Sequence, residues 1–67
     1  MKLKNISSEI KEKIKVSIFY NADFNWRDKH IIQDWTYGER LNFIAAINEI
    51  SKERVRQIIS RAVKKYT

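Results

Sequence analysis

Apolar residues recur at helical spacing in four stretches of the chain, and each stretch is bounded by residues that favour caps or turns. The first stretch predicts a helix over residues 8–20. Ser7 or Ser8 can cap it, and Glu9 suits the positive end of its dipole. Ile10, Ile14, Ile18 and Phe19 share one face, with Lys11 and Lys15 on the other, and Glu9 and Glu12 precede Lys13 and Lys15 at pairing distance. Val16-Ser17-Ile18-Phe19-Tyr20 has the composition of a strand, but no partner strand exists, so helix is preferred. Asn21, Asp23 and Asn25 then offer turn and cap chemistry. A second helix follows over 26–36, capped by Asn25 or Asp23, with Trp26, Ile31 and Trp35 turned inward and Ile32 at the margin. Gly38, the only glycine, fits a left-handed cap after Tyr37. The third helix, over 40–48, repeats Leu41, Ile44, Ala45 and Ile47 or Asn48. Ile50-Ser51 breaks the pattern again, and Ser51 caps a fourth helix over 52–65 with Glu53 in its first turn. There Val55, Ile58, Ile59, Ala62 and Val63 form a stripe at i, i+3, i+4, i+7 and i+8. Glu53, Gln57, Ser60 and Lys64 point the opposite way, flanked by Arg56 and Arg61.

Length limits what this pattern can build. The chain has 67 residues with no Cys, no Pro and one His, so a single domain over 1–67 is expected, with neither disulfides nor a thiolate zinc site. No repeat, linker or long apolar run interrupts it, and no membrane partner is expected. Met1-Lys2-Leu3-Lys4 opens like a secretory leader, but no apolar segment follows, so a cytoplasmic protein is expected. One His and scattered acids make no catalytic constellation, and no glycine-rich phosphate loop is present. A non-enzymatic binding module without metal or cofactor is the expectation. The aromatics Phe19, Phe24, Trp26, Trp35, Tyr37 and Phe43 are read as core or boundary filler, and His30 as a surface or boundary residue. Aromatics left exposed would instead mark a protein-docking face.

Charge placement narrows the partner. The net charge is +6, yet residues 1–50 carry eight basic and seven acidic side chains. Residues 51–67 carry Lys52, Arg54, Arg56, Arg61, Lys64 and Lys65 against Glu53 alone. A basic stripe on one helix is the footprint of a polyanion, although a solvated helix near its negative dipole end reads similarly. Glu53, Gln57 and Ser60 on the same face favour base readout. Charge alone would not need them, whereas base edges call for both donors and acceptors. A short helix, a tight turn and a second helix of this kind describe a helix-turn-helix, whose second helix enters the major groove. The candidate DNA-binding residues are Ser51, Lys52, Glu53, Arg54, Arg56, Gln57, Ser60, Arg61 and Lys64.

Ser51-Lys52-Glu53-Arg54-Val55-Arg56-Gln57-Ile58, followed by Arg61-Ala62-Val63-Lys64-Lys65, resembles the recognition-helix signature of region 4 in sigma-70-type RNA polymerase sigma factors. Ile44-Ala45 resembles the first helix of that motif and Ile50-Ser51 its turn, and Asp28 to Gly38, with Ile31, Ile32 and Tyr37, resembles the helix before it and its glycine break, so the resemblance spans about residues 27–65 and is strong only over 50–65. It implies an all-α domain of four short helices that reads a −35-like promoter element and docks on the flap of the RNA polymerase β subunit. It also implies base contacts at Lys52, Glu53, Arg56 and Gln57 and a backbone contact at Arg54. The chain departs from the family at Glu49, where glycine is usual, at Arg40, where Thr or Ser often caps, at Asn48, usually apolar, and at Ile59, often acidic. Glu49 in a left-handed turn would carry about 1 kcal/mol of strain, so a turn of different shape is expected. The 67 residues leave no room for the region that melts the −10 element, so a complete sigma factor is not expected.

Three functions follow as expectations. The first is a free-standing regulator that binds double-stranded DNA, with a homodimer or attachment to RNA polymerase adding specificity. The second is an interaction module that occupies the polymerase flap or a sigma factor, as co-activator or inhibitor, with little DNA contact. The third is an RNA-binding or non-specific nucleic-acid-binding domain acting through charge alone.

Overall fold

A computed structural model describes residues 5–67. The leader-like start at residues 1–4 lies outside the described residues. Among the described residues the fold is all-helical, with four α-helices: α1 over Ser8–Ser17, α2 over Trp26–Thr36, α3 over Leu41–Asn48 and α4 over Lys52–Tyr66. Among the described residues no helix is long and apolar enough to cross a membrane.

Each helix start has a local cause. The Ser7 hydroxyl accepts from the Ile10 N–H at 3.3 Å, the Asn25 side-chain oxygen from Asp28 N–H at 2.8 Å, and the Ser51 hydroxyl from Arg54 N–H at 3.0 Å. Only α3 lacks such a cap, because Arg40 stands at its N-cap position and offers no acceptor. The first helix departs from expectation at its end. Regular α-helix stops at Ser17, and Ile18–Tyr20 form a 3-10 turn. The tighter turn still buries Ile18 completely while releasing the chain toward Asn21.

Two helix ends use one device. At the end of α2, Glu39 N–H donates to Asp34 O at 3.1 Å and Gly38 N–H to Trp35 O at 3.0 Å, with Gly38 at φ +97°. At the end of α3, Ile50 N–H donates to Ala45 O at 3.1 Å and Glu49 N–H to Ala46 O at 3.3 Å, with Glu49 at φ 55°, ψ 42°. Both are Schellman closures, which need a left-handed residue between the last helical turn and the following chain. Glycine fills that position once and a glutamate the second time, so the turn keeps its left-handed shape despite the strain, contrary to the expectation of a different turn.

The core draws on every helix: Ile14 and Ile18; Phe24; Ile31, Ile32 and Trp35; Ile44 and Ala45; and Val55, Ile58, Ile59, Ala62 and Val63. Helix α4 packs against α1, α2 and α3 together. Ile59 is wholly buried. Several expectations about the aromatics are corrected. Phe24 and Trp35 are core residues, but Trp26 is 67% exposed, and Tyr37 and Phe43 are also exposed. Trp26 opens α2 on a turn facing away from the core, where its ring stacks on His30 at 5.6 Å and meets Phe19 at 5.6 Å. Ile32, expected at the margin, is fully buried, and Ile47 is exposed. Lys11 and Lys15 are half-buried rather than simply solvent-facing. Their ammonium groups sit 5.0 Å from the Trp35 ring and 4.8 Å from the Tyr37 ring, and so bind α1 to the end of α2.

Left-handed backbone costs a non-glycine residue about 1–2 kcal/mol, while glycine gives back about 0.5–1 kcal/mol in chain entropy. Glu49→Gly is therefore expected to stabilise the fold by about 0.5–1 kcal/mol, read as a higher midpoint in thermal melts followed by circular dichroism. A lower midpoint would contradict strain at Glu49.

Candidate nucleic-acid interface

The orientation of α4 follows from its apolar stripe. Val55, Ile58, Ile59, Ala62 and Val63 are all buried, so the opposite side must face outward. Lys52, Glu53, Arg54, Arg56, Gln57, Arg61 and Lys64 are exposed, as is the capping Ser51, and Ser60 is half-buried. Glu53, Arg56, Gln57, Ser60, Arg61 and Lys64 line one open surface concavity along this side.

The two halves of that face are held differently. In the first half, Arg56 pairs with Glu53 one turn back, and the pair is open to solvent. Such a pair is worth little in water and exchanges readily for another partner. In the second half, Arg61 lies 4.7 Å from the Phe24 ring and donates to the Asp23 carbonyl at 3.1 Å. Lys65 pairs with the Asp23 carboxylate. Asn21 Nδ2 donates to the Tyr66 hydroxyl at 3.3 Å, closing the same junction. Arg61 thus clamps α4 to the loop before α2, while the cations nearer Ser51 make no such long-range contact.

Asp23 and Lys65 were not among the candidate residues. They lie 42 positions apart, and helical periodicity carries no sign of a contact at that range. Lys65 beside Asp23, by hydrogen bond and by charge, holds the Asp23 carboxyl below its ordinary value of 3.8, and Arg61 adds to the effect.

Beneath the turn, Arg27 donates to the Asn48 carbonyl at 3.2 Å, tying the start of α2 to the end of α3. Asn48 Nδ2 donates to Ile44 O at 2.8 Å within its own helix. Among the described residues no three His, Asp or Glu side chains come together as metal ligands. Comparison with family models, curated proteins and solved structures found no match to this chain.

A carboxyl whose folded pKa is lowered binds fewer protons folded than unfolded, so the Asp23 contact stabilises the fold above the ordinary aspartate value of 3.8 and is lost as pH falls through the lower folded value. Asp23→Asn is expected to melt lower than wild type at neutral pH, with the difference closing toward pH about 2. Melting profiles that stay parallel down to that acidity would exclude the contact.

Proposed function

We propose that this chain is a small DNA-binding regulator of transcription that reads the major groove with α4, in the manner of sigma factor region 4. The observation that carries the reading is the two-sided chemistry of α4. One side is wholly apolar and buried, the other presents Arg56, Gln57 and Lys64 beside Glu53, and Lys52 and Arg54 are exposed in the first turn. A groove about 12 Å wide admits one such helix. Arg56 can donate to guanine, Gln57 can pair with adenine in bidentate fashion, and Glu53 can accept from cytosine N4. Lys52, Arg54 and Lys64 meet phosphates and displace counterions. The exposed Glu53–Arg56 pair opens at little cost when base edges replace water. Arg61, engaged with Phe24 and Asp23, orients the helix instead of reaching outward.

A second reading rests on Trp26. Its exposed ring, backed by Phe19 and His30, suits a protein partner such as the RNA polymerase β flap or a sigma factor.

Selection of duplexes from a random pool, with and without RNA polymerase, separates the readings. An enriched motif is expected, with a log–log salt slope of about −3 for the three phosphate contacts of Lys52, Arg54 and Lys64. Arg56→Ala with Gln57→Ala is expected to lower affinity for that motif about 10–100-fold while leaving binding to unrelated duplex largely intact. Equal affinity for all duplexes at fixed salt would reduce the protein to a charge-driven binder. Polymerase binding that needs Trp26 and not Arg56 would favour the second reading.

A further inference from the structure

Tyr20, Trp26, Tyr37 and Phe43 all leave their rings exposed, but the rings differ in what sits on them. Lys29 Nζ lies 5.5 Å from the Trp26 ring and Lys15 Nζ 4.8 Å from the Tyr37 ring. Among the described residues no cation lies over the ring of Tyr20, beside Val16, or of Phe43, beside Ile47. Even so covered, Trp26 stays 67% and Tyr37 64% exposed. Both belong to α2 and its C-cap. At 100° per residue, Trp26, His30 and Tyr37, at i, i+4 and i+11, fall within about 40° of one another, in a row about 16 Å long. His30 is exposed and stacks on Trp26 at 5.6 Å with the planes 28° apart, and Phe19 backs both rings.

The cations on this side come from both helices. Lys29 donates to the Phe19 carbonyl at 3.2 Å and, among the described residues, is part of no salt bridge. Lys15 pairs with Glu12 at 3.2 Å, an open pair that a phosphate can replace at little cost. Of the other acids on α1 and α2, Asp28 is buried, Asp34 is half-buried and Glu9 lies in the first turn of α1. Exposed rings in a row with cations beside them suit one strand of nucleic acid, in which every base has a π-face to stack and every phosphate a charge to neutralise. A duplex keeps those π-faces stacked inside. We infer that the Trp26–His30–Tyr37 side of α2 binds a single-stranded nucleic acid, with bases stacked on Trp26 and Tyr37 and phosphates beside Lys29 and Lys15. The inference does not rest on the duplex reading, because this side shares no residue with the outer face of α4. It gives Trp26 a strand to hold in place of a protein.

Fluorescence anisotropy of a labelled oligothymidylate of about 15 nucleotides, titrated with the whole chain at fixed low salt, tests the inference. Wild type is expected to bind. Trp26→Ala is expected to weaken binding about tenfold and Tyr37→Ala about fivefold, with wild-type helicity by circular dichroism because both side chains are exposed. Trp26→Phe keeps a ring and is expected to recover most of the loss. Arg56→Ala with Gln57→Ala is expected to hold the strand within about twofold of wild type, so loss of duplex readout and loss of strand binding are told apart. An oligouridylate of the same length is titrated in parallel, and binding of either strand that depends on Trp26 supports the inference. Binding of both strands that Trp26→Ala leaves unchanged would overturn it, since charge alone then holds them. So would a wild type that binds neither strand. Capture of RNA polymerase that needs Trp26, with strand binding indifferent to Trp26→Ala, would return the ring to a protein partner.

Discussion

The structure depends on the burial of one apolar stripe. Val55, Ile58, Ile59, Ala62 and Val63 put α4 in contact with α1, α2 and α3 at once, so the hydrophobic contacts of the other helices converge on it. Burying a Val or Ile side chain contributes about 1.5–3 kcal/mol, and no other interaction in so small a domain approaches the sum of these. The stripe also sets which side chains of α4 face solvent. Rotating the helix by one residue, about 100°, would carry Arg54 and Arg61 in one sense, or Arg56 in the other, toward the core and lift Val55 out of it.

Weaker contacts then decide how the helix is held along its length. The C-terminal half is fastened to the loop before α2 by Arg61 against Phe24 and the Asp23 carbonyl, by Lys65 against the Asp23 carboxylate, and by Tyr66 against Asn21. The N-terminal half is fixed by the Ser51 cap and the Schellman closure at Glu49. A helix anchored at its far end and capped at its near end presents the residues after Ser51 rigidly. The proposed base readout would require such positioning, since base-edge hydrogen bonds tolerate little displacement. Glu49 supports the turn at a cost in backbone strain that glycine would avoid.

The aromatic residues divide by position within their helices rather than by hydrophobicity. Trp35 and Phe24 close the core, whereas Trp26 lies on the outer turn of α2 with Phe19 and His30 as neighbours. Lys11 and Lys15 cover Trp35 and Tyr37, which joins α1 to α2 through cation–ring contacts. Their long apolar stems let them serve the boundary while keeping charge near water.

Periodicity and cap chemistry sufficed for the four helices, the three breaks, the left-handed Gly38, and the inner and outer faces of α4, because these follow from contacts within about four residues. The face of α4 that carries the candidate interface was legible for the same reason. Tertiary structure alone decided that Arg61 turns to Phe24 and Asp23, that Trp26 stays outside while Ile32 goes in, and that α1 tightens into a 3-10 turn at Ile18. Those outcomes depend on which surfaces meet across separations of tens of residues, and a one-dimensional pattern does not encode the direction from which a neighbouring helix arrives.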